Sequence, residues 1–245
     1  MTKSSLLVWL QGIRRAFLSP SKWKKSYSQC AEDLIVEFIF KSRPFKSEGF
    51  YVDVGAHHPR RGSNTFSLYK KGWRGILVDL EPDKVIAARL ARPFDTCVQA
   101  AVSDGERDVG VFSPEAFSTR TTIDPKSALS NGATNFVMTA SVRTKTLTKI
   151  LDDNSCPGNF DFLNVDCEGH DLEVLYGLNL EKYCPEVICV EIWEASEGIE
   201  ALMGSEIHSY LTDNGYLLYS WSVLSAIYVK RGKMEQKPSQ FTRST

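Results

Sequence analysis

The sequence predicts an α/β fold built on a doubly wound, largely parallel sheet. Three observations predict it. Short apolar runs rich in β-branched and aromatic residues alternate with stretches of helical periodicity. Several of these runs close on an acid or a glycine, as strands do where an open sheet delivers side chains to its active rim. The last two runs, 216–221 and 225–229, lie a few residues apart and read as a hairpin, which gives the sheet an antiparallel edge.

With 245 residues, 42% of them hydrophobic, the chain suits one large domain with a sizeable core. A net charge of −1 provides no global field toward nucleic acid, so specificity must be local. The six cysteines form no CxxC pair and several sit in strand-like runs, as expected of free thiols in a reducing, cytoplasmic compartment. No apolar run approaches the roughly 20 residues of a membrane-spanning helix. Residues 1–25 read as a basic amphipathic extension, in which Leu6 to Leu10 precede Arg14, Arg15, Lys22, Lys24 and Lys25. A cleaved secretion signal is not expected, because the basic residues follow the apolar run. Docking onto the domain, or disorder, is the favoured expectation; contact with a membrane surface uses the same pattern.

The main domain is expected over 26–232, with a polar tail over 233–245. Leu34, Ile35, Phe38 and Ile39 recur at helical spacing, and Ser28 with Glu32 or Asp33 offers the start. Residues 50–54 form a buried strand that stops at Gly55, where a glycine lets the backbone approach a ligand closely and Asp53 presents a carboxylate at the strand end. Ser63 is expected to cap the next helix, and Gly72 to end it.

The second strand, 75–79, comes about 25 residues after the glycine turn at Gly55, the distance at which nucleotide-binding sheets place an acid against ribose hydroxyls. Asp79 is the first choice and Glu81 the alternative; helix capping is the competing role. A third strand, 96–102, leads to Ser103-Asp104-Gly105, where Asp104 either accepts from a base amino group or makes an ordinary turn. Val109 to Phe112 then read as a returning hairpin arm. Residues 113–140 lose periodicity and read as a polar insertion that selects substrate, before Thr146 caps a helix through Leu147, Ile150 and Leu151.

The second chemical cluster runs from Asp161 to Asp171. A strand over 162–165 delivers Asp166, and a helix begins just beyond Gly169. Asp166, Glu168 and His170 supply two carboxylates and an imidazole able to position and deprotonate a hydroxyl, with His170 and Glu168 the better bases, or to bind a divalent cation; no metal site is assigned. Capping of the helix by the acids is the alternative. A further strand, 187–192, again closes near an acid, Glu191, and a helix around 207–211 stops at Asn214-Gly215.

Ser26-Tyr27-Ser28-Gln29, Tyr51-Val52-Asp53-Val54-Gly55-Ala56-His57-His58-Pro59, Ser63-Asn64-Thr65, Lys71-Gly72-Trp73-Arg74-Gly75 and Val165-Asp166-Cys167-Glu168-Gly169-His170 together resemble the FkbM family of S-adenosylmethionine-dependent methyltransferases. The resemblance spans roughly 26–230 with its blocks in order. It implies a Rossmann-like class I methyltransferase sheet and methyl transfer to a hydroxyl of a sugar, glycan precursor or natural product. By the same resemblance Asp53, Gly55 and His57 form the first cofactor loop, Asp79 the ribose acid, and Ser103-Asp104 the adenine loop. His57 stands where the wider methyltransferase pattern has a second glycine. His58 and Asn64 are assigned to the acceptor, a small molecule or glycan, with no nucleic acid partner. A non-catalytic binding protein that has kept the fold is the alternative; a nicotinamide enzyme is disfavoured because the GxGxxG spacing is absent.

Overall fold

The computed structural model describes residues 3–15, 24–41, 48–114, 121–124 and 136–232. Seven strands form the main sheet. β1 (Phe50–Val54), β2 (Arg74–Asp79), β3 (Thr96–Gln99), β7 (Phe162–Val165) and β8 (Val187–Glu191) run parallel, and the hairpin of β9 (Tyr216–Ser222) and β10 (Ser225–Lys230) closes one edge. The order is β3-β2-β1-β7-β8-β10-β9, with β10 antiparallel to both neighbours. The order reverses between β1 and β7, the switch point at which an open α/β sheet leaves a crevice for ligands.

Strand alternation builds two cores. Val52, Val54, Val78, Leu163, Val165, Ile188 and Val190 face α5 (Leu147–Asp153), α6 (Asp171–Tyr176), α7 (Ile199–Gly204) and α8 (Glu206–Asp213). Tyr51, Leu77, Phe162, Val187 and Cys189 face α2 (Glu32–Lys41), α3 (Phe66–Lys70) and α4 (Pro82–Ala91). With a period of two, the polar residues Asp53, Asn164, Asp166 and Glu191 fall on this second face, at or beyond the strand ends.

Several expectations are corrected. The third strand is broken: β3 belongs to the main sheet, whereas β4 (Ala101–Val102) pairs with β6 (Val137–Lys145) in a small second sheet. The arm Val109 to Phe112, within β5 (Asp108–Ser113), pairs with β6 and not with the third strand. Residues 137–140 of the expected insertion are therefore strand; within it, only 113–114, 121–124 and 136–140 are described, and Thr122 bridges back to Phe112. The cap of α3 is Thr65; Ser63 still accepts the Phe66 N–H at 3.2 Å. At α2 the expected start is present, Ser28 Oγ accepting the Asp33 N–H at 3.4 Å and Glu32 the Cys30 N–H at 2.8 Å, and further bonds add to it. The Asp33 carboxylate accepts the hydroxyls of Ser26 (2.7 Å) and Ser28 (2.9 Å) and the Tyr27 N–H (2.8 Å), tying the preceding segment to the helix.

The helix α1 (Lys3–Ile13) does not bury its apolar side. Leu6, Leu7, Val8, Trp9 and Leu10 are 47–66% exposed, which overturns docking on the domain core. Among the described residues no helix is long and apolar enough to cross a membrane. All six cysteines are free thiols; Cys97, Cys156 and Cys189 are buried and Cys30 is exposed.

Candidate active site

Gly55 is the pivot of the site. Its φ is +78°, a left-handed conformation natural to glycine, and its N–H bonds to the Val78 carbonyl at 2.9 Å. A Cβ there would lie 1.8 Å from the Asp166 carbonyl oxygen, so only glycine lets β1 turn this close to the end of β7. The chain continues through His57, whose φ of +41° is uncommon for a non-glycine residue. Asp79 holds that turn: its carboxylate accepts the His57 N–H at 2.8 Å and the Glu81 N–H at 3.0 Å. Each oxygen retains a second lone pair for a further hydroxyl.

A cleft of about 380 Å³ opens over this turn, lined by Gly55, His57, Asn64, Asn164, Asp166 and Glu168 among others. Asp53 and His58 also line it. A smaller cavity of about 60 Å³ adjoins it through Gly55 and Cys167, with Asp79, Leu80, Ala101, Ile123 and His170 on its walls. Asp53 is 2% exposed, and its carboxylate is already engaged: it accepts the Thr65 hydroxyl and Asn164 Nδ2 (2.9 Å). Asn64 in turn donates to Asn164 Oδ1 at 2.9 Å. Beneath them, the fully buried Arg92 donates to Pro59 O (2.7 Å), Thr65 Oγ1 (2.8 Å) and Ser63 Oγ (2.6 Å). Asp53 thus organises the loop that forms the floor of the cleft.

The acids at the strand ends show the strongest electrostatics. In the parallel register Val165 lies opposite Val190, which brings Asp166 beside Glu191 one residue further on. A recess lined by Asp166, Glu191, Gln29 and Asn64 continues from the cleft. Burial, then the charges of Glu191 and Glu168, push the Asp166 carboxyl well above the usual range. Glu191 is pushed up to about 8 by burial and by Asp171 and Glu168, although it accepts the Trp193 indole N–H at 2.8 Å. Like charges this close in a partly dry site cannot all ionise.

His170 makes no hydrogen bond to Asp166, Glu168 or Glu191, although it lines a groove of about 1190 Å³ together with Glu191 and Asp171. Its Nε2 hydrogen-bonds Ser103 Oγ at 2.9 Å, Nδ1 lies 3.6 Å from Glu173, and burial lowers its pKa, leaving a neutral ring. Asp171, the first residue of α6, ties down the loop before it, accepting the Cys167 N–H (2.8 Å) and the Gly169 N–H (3.1 Å). Asp104 is turned to Arg107, which holds its carboxyl below the usual range, and Arg107 also donates to Ser103 Oγ at 2.9 Å. Glu81 pairs with Lys84 at 3.2 Å. Glu81, Ser103 and Asp104 line neither the cleft nor the smaller cavity. Glu191, Asn164 and Arg92 are the functional candidates that sequence reasoning missed; the only signal was the acid closing the β8 run.

The chain carries the methyltransferase FkbM domain over residues 53–218 and belongs to that family. It is accordingly a methyltransferase of the Rossmann-like class I type, and S-adenosylmethionine is its cofactor. No curated protein matches the chain. Among solved structures it is similar to a TehB-like SAM-dependent methyltransferase from Corynebacterium glutamicum (13% identity, 93% of this chain and 97% of that one, TM-score 0.41). It is also similar to an O-methyltransferase from Bacillus cereus in complex with SAH (12% identity, 94% and 93%, TM-score 0.42). A precorrin-6y C5,15-methyltransferase from Geobacter metallireducens is 12% identical over 81% of this chain and 87% of that one, at a TM-score of 0.41.

The residues present fit the cofactor. The Gly55 turn borders both the cleft and the small cavity, the small cavity beside Asp79 has the apolar walls Leu80, Ala101 and Ile123, and His57 Nδ1 is buried with no hydrogen-bond partner among the described residues.

Proposed function

We propose that this methyltransferase acts on a hydroxyl of a sugar, glycan precursor or related small molecule, and that Asp166 with Glu191 takes the hydroxyl proton. The observation that carries this reading is the pair of buried carboxyls at neighbouring strand ends, Asp166 lining the cleft of the Gly55 turn and Glu191 the recess that continues from it; burial and like charges raise both. When bound, S-adenosylmethionine supplies a sulfonium methyl group, so the acceptor oxygen needs only alignment and loss of its proton. Gly55 and His57 with Asp79, or Glu81, hold the cofactor, and Leu80, Ala101 and Ile123 flank its base. Asn64, His58 and Glu168 orient the acceptor. A carboxylate with a pKa near 8 is a better match for an alcohol proton than one near 4, because Brønsted efficiency grows as the base strengthens. His170 supports the cofactor loop through Ser103 and does not act on the acceptor. The six free thiols support a reducing, cytoplasmic setting.

The helix α1 supports peripheral contact with an anionic membrane. At 100° per residue, Trp9, Ile13, Leu6, Leu10 and Leu7 fall on one arc of about 160°. Arg14, Arg15, Lys22, Lys24 and Lys25 follow, with no acid before Glu32, so the segment complements anionic lipid in both apolar face and charge.

The test is methyl transfer from an isotopically labelled donor to a panel of sugar hydroxyl acceptors, with the carbon-13 shift of the transferred methyl distinguishing oxygen from nitrogen. The expected result is an O-methyl product whose rate rises with pH through about 8, since the base acts deprotonated, and falls at least about a hundredfold in Asp166→Asn. N-methylation, or a fully active Asp166→Asn/Glu191→Gln double variant, would refute it.

A further inference from the structure

We propose that the acceptor carries a phosphate or diphosphate, seated in a basic groove that runs into the cleft. The inference rests on the hydroxyl-methylating reading above and names its substrate class. The groove, about 870 Å³, lies between the segment before α2 and the loop after β1, and its cations are Lys25, Arg60, Arg61 and Lys70. Among the described residues no acid lines it, in a chain whose net charge is only −1. It shares His58, Arg61 and Gly62 with the catalytic cleft, so one ligand can reach both.

The groove is preorganised. His58 Nδ1 accepts the backbone N–H groups of both Arg60 and Arg61 at 3.0 Å, which fixes the turn that presents the two side chains. Arg92 anchors the same loop from beneath through the Pro59 carbonyl. On the opposite wall Asp33 fastens Ser26 and Ser28, while Tyr27 and Phe66 meet edge to face at 4.9 Å and form an aromatic wall. The Arg61 guanidinium has no hydrogen bond or ion pair among the described residues. An arginine pair on a fixed turn matches phosphate oxygens in geometry as well as charge.

Polarity gives the direction. The far end of the cleft and its recess hold Asp166, Glu168 and Glu191, carboxyls that offer a phosphate no cationic partner, whereas the groove end attracts it. A phosphorylated sugar is therefore oriented with its anion on Arg60 and Arg61 and a hydroxyl toward Asp166. Two sources share this chemistry: a sugar joined through diphosphate to a nucleoside, and one joined through diphosphate to a lipid.

The experiment titrates the full chain at low salt with pyrophosphate, uridine diphosphate glucose and farnesyl diphosphate in phosphatidylcholine vesicles. Wild type and an Arg60→Ala/Arg61→Ala variant are compared, and S-adenosylhomocysteine binding reports that each sample is folded. The expected result is saturable pyrophosphate binding that weakens with salt and falls at least about tenfold in the variant. The tighter of the other two ligands identifies the source. Absence of pyrophosphate binding at millimolar concentration in a sample that binds S-adenosylhomocysteine would overturn the proposal, as would equal binding by the variant. So would retention by plain phosphatidylglycerol vesicles with no affinity for pyrophosphate. Binding of pyrophosphate in the predicted way without any O-methyl product would instead overturn the hydroxyl reading and leave the anion site standing.

Discussion

Substituting Gly55 by alanine tests the pivot of the site. Two penalties combine. The backbone sits at φ +78°, where an L side chain costs about 1 kcal/mol or more relative to glycine. The new Cβ would also lie 1.8 Å from the Asp166 carbonyl oxygen, and contacts under 3.0 Å are essentially never seen, so the ends of β1 and β7 must part by more than 1 Å. Nothing flexible lies in the way; the obstacle is backbone, and the Asp166 N–H to Val54 carbonyl bond of 3.0 Å stands next to it. Overpacking of this kind costs typically 1–3 kcal/mol, so the sum is about 3 kcal/mol, or roughly 6–12 °C in Tm for a domain of this size. Gly72→Ala is the control, because its φ is +99° but nothing lies within 4 Å of the added methyl; strain alone, about 1 kcal/mol, is expected. The assay is thermal unfolding of both variants with calorimetric titration of S-adenosylhomocysteine. If Gly55→Ala melts with Gly72→Ala and binds the ligand as wild type does, the close approach is not what shapes the site.

Other outcomes follow from the same contacts. The Glu191 carboxyl is raised in the fold to about 8, so between the ordinary carboxyl range and pH 8 the folded state holds the extra proton. Stability should therefore fall as pH rises through that window, by at most about 1.4 kcal/mol per pH unit for one proton, and denaturant titrations of Glu191→Gln should show a flatter slope. Arg92→Leu leaves the Pro59 carbonyl and the Ser63 and Thr65 hydroxyls without their buried donor; a loss of about 3 kcal/mol is expected by urea unfolding, with Arg92→Lys intermediate. For α1, flotation with phosphatidylglycerol vesicles should carry the wild-type chain and lose Trp9→Glu/Leu6→Glu, while phosphatidylcholine vesicles carry neither; equal flotation of both forms would remove the helix from membrane contact.

The sheet was largely legible because its strands are short apolar runs with clear stops. Phe50–Val54 and Phe162–Val165 coincide with the runs read from the sequence, and the terminal hairpin follows from its short turn. What was not legible depends on long-range register. That Asp53, Asn164, Asp166 and Glu191 share one face follows from a period of two only after β1, β7 and β8 are known to be neighbours. The break between β3 and β4 also escaped, since a continuous strand-like run over 96–102 does not say where a strand leaves one sheet for another. His170 ranked high by its intrinsic pKa, yet burial beside Ser103 lowers that pKa, whereas burial, with like charges added, raises the carboxyls. Arg92 gave no signal at all: a charged residue at a helix end is ordinarily solvated, and its burial depends on the loop after β1 closing over it.

The most direct test of the account is calorimetric titration of the full chain with S-adenosylhomocysteine, comparing wild type, Asp79→Ala, Glu81→Ala and Asp166→Asn. One site per chain is expected, with a loss of about tenfold or more in at least one of the first two variants and little change in Asp166→Asn, whose carboxyl faces the acceptor. A folded chain that binds nothing at millimolar ligand, or binding that neither Asp79→Ala nor Glu81→Ala weakens, would contradict it.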